Sequence, residues 1–411
     1  MITREAARAL DAADPLAGIR ARFAQAAEDT VYLDGNSIGA MPLDAPQRLQ
    51  TLMLQGWRDA RRRGWSRFDW LEQPWTVGDA LGPLIGASPG SVVFADNTSV
   101  NLFKLLAYAW RLRPERPVIV TERHMFPTDL YVAQGLARFT GGAAQLRLID
   151  HPSELQAALS PEVGVVFLSL VDYRSSFRWN MDHTNRLAQG VGALTLWDLS
   201  HAAGAIAVAL DDTAADFAVG CGYKYLCGGP GAPSWLYVNP RHQDAAWPVI
   251  SGWMGHADVF AFEPDYEPIA GVRRHLTGTP AVLANAALAA AADIWKDVSS
   301  NDLGRKHRSL SDLLVGLLEQ RCSQHGVKIS SPQRYEERGA HITFDHPGAG
   351  RIVQALLERG VVSSFRKPDA IRFGLSPLAL SHEDIWVAVD RLSTILATEF
   401  WREPRFAVDG I

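Results

Sequence analysis

Cysteine is scarce in this chain: three among 411 residues, Cys221, Cys227 and Cys322, with no CxxC pair. That excludes a disulfide framework and a cysteine-rich zinc site, no metal is expected, and a reducing, cytoplasmic compartment is the expectation. An excess of one charge is missing too. Forty Lys and Arg stand against 45 Asp and Glu, a formal net charge of -5. No polyanionic partner is implied, and nucleic-acid binding is not expected. The basic run "RDARRRGWSR" reads as a solvated helix end rather than a binding patch. Long apolar runs are also absent. The nearest, "AVLANAALAAAADIW", is interrupted by Asn285 and Asp293 and reads as an alanine-rich soluble helix, so no membrane association is expected. The N-terminal stretch alternates charged with apolar residues and lacks the apolar core of a signal peptide. There is no internal repeat and no low-complexity tail. What remains is a chain that is 47% hydrophobic, enough material for a large buried core.

From about residue 90 to 240, short β-rich runs alternate with helix-period segments. "SVVFA", "PVIVT", "GVVFLSL", "ALTLWD", "DFAVG" and "SWLYV" are the strand candidates. Most are continuous apolar runs, as expected for strands covered on both faces. The alternation predicts an α/β fold with a mainly parallel sheet and helices on both faces. After the alanine-rich helix the pattern changes. "LSDLLVGLLEQRC" and "RIVQALLERG" read as amphipathic helices, with Gly360 at the second one's stop. "GAHITFDH" and "AIRFGLS" read as strands. Ser381 and Asp384 make a capping-box pattern at the start of a last long helix. This predicts three regions: an N-terminal arm over 1–50, a large domain over 51–285, and a smaller α+β domain over 286–411. The arm packs on the small domain or on a partner.

Three stretches could carry chemistry, each at a junction where ligands gather in parallel sheets. In "ADNTSVNLF", Thr98 and Ser99 lie between strand and helix. They form an anion site with the free N–H groups of the helix start, or one of them is simply the N-cap. In "TLWDLSHAAG", Asp198 ends an apolar strand with His201 just beyond. It could pair with a protonated pyridine nitrogen, or serve as a turn-forming residue. In "GCGYKYLCGGPGAPSWLYV", Lys224 is fenced by glycines that allow close approach of a ligand. Partial desolvation there would free its amine as a nucleophile, although most lysines are simply exposed. A hydroxyl pair for a phosphate, a carboxylate for a ring nitrogen and an amine for an aldehyde are the set that pyridoxal 5'-phosphate requires. Phe126 could stack on a planar ring or fill the core. Arg372, in a strand that otherwise reads apolar, calls for an anionic partner unless that strand is an exposed edge.

Together, "YLDGNSIGAMP", "NTSVNLFKLL", "FPTDLYVAQGL", "DLSHAAGA", "GCGYKYLCGGPGAPSWLYV", "SGWMGHADVFAFEPDY", "LTGTPAVL" and "IRFGLSPL" resemble the kynureninases. These are pyridoxal phosphate hydrolases of the class V aminotransferase-like group. The resemblance implies the fold type I architecture, with a seven-stranded sheet in the large domain. It also implies hydrolysis of L-kynurenine to anthranilate and L-alanine through aldimine and ketimine intermediates and Cβ–Cγ cleavage. By the same resemblance Lys224 holds the cofactor, Asp198 partners the ring nitrogen with His201 near it, and Tyr223 assists proton transfers. Thr98, Ser99, Tyr223, Trp253 and Thr279 match phosphate-holding positions, with the Trp and Thr supplied by the other subunit of a homodimer. Phe126 matches the stacking aromatic and Asp129 a nearby carboxylate. Ser37 and Trp65 match the substrate pocket, and Arg372 the clamp for the substrate carboxylate. Met254 stands where phenylalanine is expected, and Cys227 where asparagine is expected. Trp65 and Thr279 match the bacterial form, which favours kynurenine over 3-hydroxykynurenine. The alternatives are another class V enzyme, a desulfurase or an aminotransferase, or a protein of this fold that has lost turnover.

Overall fold

The computed structural model describes residues 2–25 and 29–407. Its centre is a seven-stranded sheet: β1 (Val92–Phe94), β2 (Val118–Glu122), β3 (Gln145–Ile149), β4 (Val163–Ser169), β5 (Leu194–Asp198), β6 (Phe217–Gly220) and β7 (Trp235–Val238). The spatial order is β1-β7-β6-β5-β4-β2-β3. β7 runs antiparallel to both neighbours, and every other pairing is parallel. Successive strand residues feed two separate cores. Val93, Ile119, Phe167, Leu196, Val219 and Leu236 join one cluster. Phe94, Val120, Leu168, Trp197, Ala218 and Tyr237 join the other. This is the two-faced burial that makes parallel strands read as unbroken apolar runs.

Six of these strands are the six apolar candidates. The seventh, β3, has the sequence "QLRLI", and of its residues only Ile149 is buried. It lies at the open end of the sheet with four of its five residues not buried, so it carries no continuous apolar run to find.

The helices that bear on the site are α1 (Thr98–Arg111), α2 (Pro127–Phe139), α3 (Met181–Gly190), α4 (Val282–Trp295), α5 (Ser300–Arg321), α6 (Ala349–Glu358) and α7 (His382–Ala397). α4 runs through position 285. Its buried Leu288, Ala291, Ile294 and Trp295 belong to a large-sheet core. Beyond it, β8 (Lys328–Ile329), β9 (His341–Asp345), β10 (Ser364–Arg366) and β11 (Ala370–Gly374) form an antiparallel sheet in the order β10-β11-β9-β8. Its core joins Ile342, Phe344, Ile371 and Phe373 to Leu314 of α5, Leu356 of α6 and Leu392 of α7. Ser381 and Asp384 close a capping box at the start of α7.

The N-terminal segment is fastened to this second unit. Val31 and Tyr32 pair in parallel with Val361 and Val362, and Ala7 of the helix Arg4–Ala12 is buried in the same core. Lys306 of α5 meets Asp14 at 2.7 Å, both side chains being buried.

Candidate functional site

A pocket opens at the carboxyl ends of the central strands and brings together Thr98, Ser99, Phe126, Asp129, Asp198, His201, Tyr223 and Lys224. The local reasons differ for each. Asn97, not Thr98 or Ser99, caps α1, its side chain accepting from the Val100 N–H. Both following hydroxyls therefore stay out of the cap and face the pocket beside free N–H groups at a helix start, an arrangement suited to an anion.

Asp198 is the last residue of β5 and is buried. One of its oxygens, Oδ1, accepts from the Ser200 N–H at 2.9 Å and the Ser200 hydroxyl at 2.6 Å. Asp129, in the first turn of α2, is buried against it. Burial first, and the Asp198 charge second, push the Asp129 carboxyl well above the usual carboxylate range. Asp129 Oδ2 has no hydrogen-bond partner among the described residues. Two adjoining buried carboxyls with an unmet oxygen form a cradle that a protonated ring nitrogen would complete.

Lys224 lies in the loop between β6 and β7. Its Nζ is 3.2 Å from His201 Nε2. Burial, with Lys224 next in effect, holds His201 well below its ordinary value, so the ring is neutral and can accept from the amine. The loop's shape is held by close backbone contact. The Gly39 N–H donates to the Tyr223 carbonyl at 2.9 Å, and a Cβ on Gly39 would stand 2.1 Å from the Lys224 carbonyl oxygen. Cys227 sits at φ 62°. Asparagine tolerates this left-handed backbone better than cysteine does, which is the physical meaning of that departure. Burial pushes the Tyr223 phenol up to about 12.

Arg372 is in β11, an inner strand of the small sheet, and is fully buried. It donates to the Tyr173 carbonyl at 2.5 Å and to the Ser364 hydroxyl at 3.1 and 3.2 Å. It forms no ion pair among the described residues, and burial pushes its guanidinium down to about 10. Ser37 donates to Asp34 Oδ1 at 2.8 Å, two residues before the glycine that touches the lysine loop. Trp65, Trp253 and Thr279 are not brought to this pocket. Trp65 packs edge-on against Trp70, 5.3 Å between centroids. Trp253 is 36% exposed and lies 6.4 Å from the Phe260 ring, and Thr279 is exposed.

Sequence reasoning missed Tyr173 and His341. Tyr173 lies four residues past the end of β4, its ring edge-on to Phe126 at 5.5 Å and its carbonyl on Arg372. The rule that ligands collect beyond strand carboxyl ends could have singled it out. His341, fully buried in β9, stands 6.0 Å from the His201 ring with neither nitrogen partnered among the described residues. Nothing in "GAHITF" marks it.

Comparison with known proteins places these observations in a family. The model of the kynureninase C-terminal domain matches residues 303–392. Kynureninase of Burkholderia pseudomallei (strain 1106a) is 43% identical, and that of Pseudomonas fluorescens 41%, each over 99% of both chains. The chain belongs to the kynureninase family. Among solved structures, the cysteine desulfurase CsdA of Escherichia coli superposes with a TM-score of 0.76 at 16% identity, covering 93% of this chain and 98% of that one. A C-DES mutant with glycine covalently linked to its PLP cofactor gives 0.74 at 18%, covering 89% and 96%. These two share the fold. The kynureninase assignment rests on the full-length relatives, and the three cysteines of this kynureninase-family chain are all buried, which does not suit a mobile catalytic thiol.

Proposed function

We propose that this chain hydrolyses L-kynurenine to anthranilate and L-alanine with pyridoxal 5'-phosphate as cofactor, and that it works as a cytoplasmic homodimer. The observation that carries the reading is the convergence of Lys224, a neutral His201 and the Asp129–Asp198 pair in one pocket. The cofactor, when bound, supplies an aldehyde that takes the substrate amine and a ring that withdraws electrons from the substrate's α carbon.

The chain's own groups would then divide the work. Lys224 is the amine that would hold the cofactor at rest. Displaced by the substrate, its Nζ is the base that moves the α proton. His201, being neutral, leaves that amine free of a neighbouring positive charge. Asp198, fixed by Ser200, would hold the proton on the ring nitrogen, with Asp129 sharing the load. Thr98, Ser99 and the start of α1 would take the phosphate, and Phe126 would lie over the ring. Tyr223, kept protonated at neutral pH by burial, would give a proton as water attacks the substrate's side-chain carbonyl. Arg372, a buried guanidinium without an acid, would take the substrate carboxylate.

The aromatic residues support the dimer. Trp57, Phe260 and Phe262 are 63%, 58% and 83% exposed, with Phe260 against Phe262, and a partner would cover such side chains. Trp253 and Thr279 lie outside their own pocket and would complete the partner's. Among the described residues no helix is long and apolar enough to cross a membrane. Trp65 and Thr279 support a preference for kynurenine over its 3-hydroxy derivative.

The test is anthranilate fluorescence with purified protein, cofactor and each of the two substrates. Borohydride reduction and peptide mass mapping accompany it. Anthranilate release with the added mass on the Lys224 peptide is expected. No anthranilate, or a label elsewhere, refutes the reading, and faster turnover of the hydroxylated substrate refutes the preference. Sedimentation of a monomer would refute the dimer.

A further inference from the structure

The anion-binding turn begins "ADNTS", with a carboxylate two residues before the first phosphate-site hydroxyl. An acid beside an anion site opposes it unless something cancels its charge. Asp96 also sits at φ 50°, in the left-handed region that aspartate tolerates better than most residues. Two backbone bonds fix the turn there. The Ser234 N–H donates to the Asp96 carbonyl at 3.1 Å, and the Ala95 N–H donates back to the Ser234 carbonyl at 2.9 Å. Ser234 itself lines the pocket.

The remaining contact is a buried lysine. Lys104, two turns into α1, is 2% exposed. Its Nζ meets Asp96 Oδ2 at 2.5 Å and donates to the His275 carbonyl at 2.8 Å. Burial lowers its pKa, while Asp96 raises it. Lysines are almost never buried without a partner that justifies the loss of hydration. This one does not line the pocket, so it does not touch a ligand there.

We propose that Lys104 is a positioning residue for the phosphate of the cofactor: it neutralises Asp96 and pins the turn that presents Thr98 and Ser99. This rests on the functional reading above. The same ammonium ties the turn to the segment that continues from His275 to Thr279, so the two stretches that would serve the two phosphate sites of a dimer share one anchor.

The experiment compares dissociation constants of apo-protein for pyridoxal 5'-phosphate and for pyridoxal, which lacks the phosphate but keeps the aldehyde. Their ratio is the phosphate preference. K104M is expected to reduce that preference about 10- to 100-fold, the size of one lost charge-assisted interaction, while pyridoxal affinity changes little. Asp96 is partly solvated, 28% exposed at its side chain, so the freed carboxylate hydrates rather than unfolding the helix. In K104M/D96N the offending charge is gone, and most of the preference should return. An unchanged ratio in K104M overturns the proposal, as does a double variant no better than K104M. A general loss of packing would weaken both ligands alike and is thereby told apart. Should K104M fail to fold, D96N carries the test. Its amide oxygen can still accept from Lys104, so the preference must hold or rise, and a tenfold fall overturns the proposal. A wild-type protein with no phosphate preference removes the functional reading itself, and this inference with it.

Discussion

The pocket around Lys224 and the aromatic surface of residues 52–70 and 253–262 differ in how completely one chain can finish them. In the pocket, Lys224, His201, Asp198 and Asp129 already touch, their positions fixed by strand ends and backbone bonds. On the surface, Trp57, Trp253, Phe260 and Phe262 stand open to solvent. Charged and polar groups can be preorganised by the sheet that carries them. Apolar side chains on a surface wait for something to cover them. The candidate site groups are therefore assembled within one chain, while these aromatic side chains are left uncovered by it.

The sharpest way to break this contrast is K224A. Turnover is expected to fall by about a thousandfold or more, the scale of losing a positioned acid–base group, measured by anthranilate fluorescence. Ordinary turnover in K224A would sink the pocket half of the comparison. Next is R372Q. With no ion pair of its own among the described residues, the guanidinium is expected to show its value when substrate binds. KM for kynurenine should rise about 100-fold, more than kcat falls. An unchanged KM would mean that Arg372 is structural.

On the surface side, W253A and T279A should weaken cofactor binding about tenfold, the cost of a hydrogen bond or a packed ring, although neither residue lines its own chain's pocket. Mixing T279A with K224A should restore some activity through hybrid dimers. No recovery on mixing, and no effect of either single variant on cofactor affinity, would detach the surface from the site.

An effect on stability rather than on the site concerns Glu122, at the end of β2. Burial first, then the Asp172 charge, raises its carboxyl to about 7, and its Oε2 accepts from the Trp179 indole at 3.4 Å. A folded pKa above the ordinary value favours the protonated form. The stabilisation is thus present at low pH and is lost as pH climbs from the ordinary 4.5 through 7. E122Q should match the wild type near pH 5 and exceed it by on the order of 2 kcal/mol at pH 8. Denaturant melts at the two pH values decide it, and an equal difference at both would refute the assignment.

Much of this was legible because parallel strands are covered on both faces and so appear as unbroken apolar runs. β1, β2, β4, β5, β6 and β7 announced themselves in that way, whereas β3, an edge strand with Arg147 in it, did not. Candidate residues at strand ends, Asp198 above all, were legible for the same reason: a run that stops is visible. Arg372 was legible as a charge out of place. Alanine-rich α4 runs through the boundary expected at 285, and its composition carries no break there. Tyr173 and His341 lay in segments whose local pattern says nothing about what faces them.

By itself the sequence determined which chemistry was available and in what order along the chain: hydroxyls before an acid, the acid before an amine. Local propensity and apolar pattern travel with the chain, so they can be read from it. Only the tertiary structure decided that Asn97 and not Thr98 caps α1, that Asp129 lies against Asp198, that Lys104 pairs with Asp96, and that Arg372 is buried without an ion pair among the described residues. Each of these depends on which groups are deprived of water together, and that is settled only when distant segments pack.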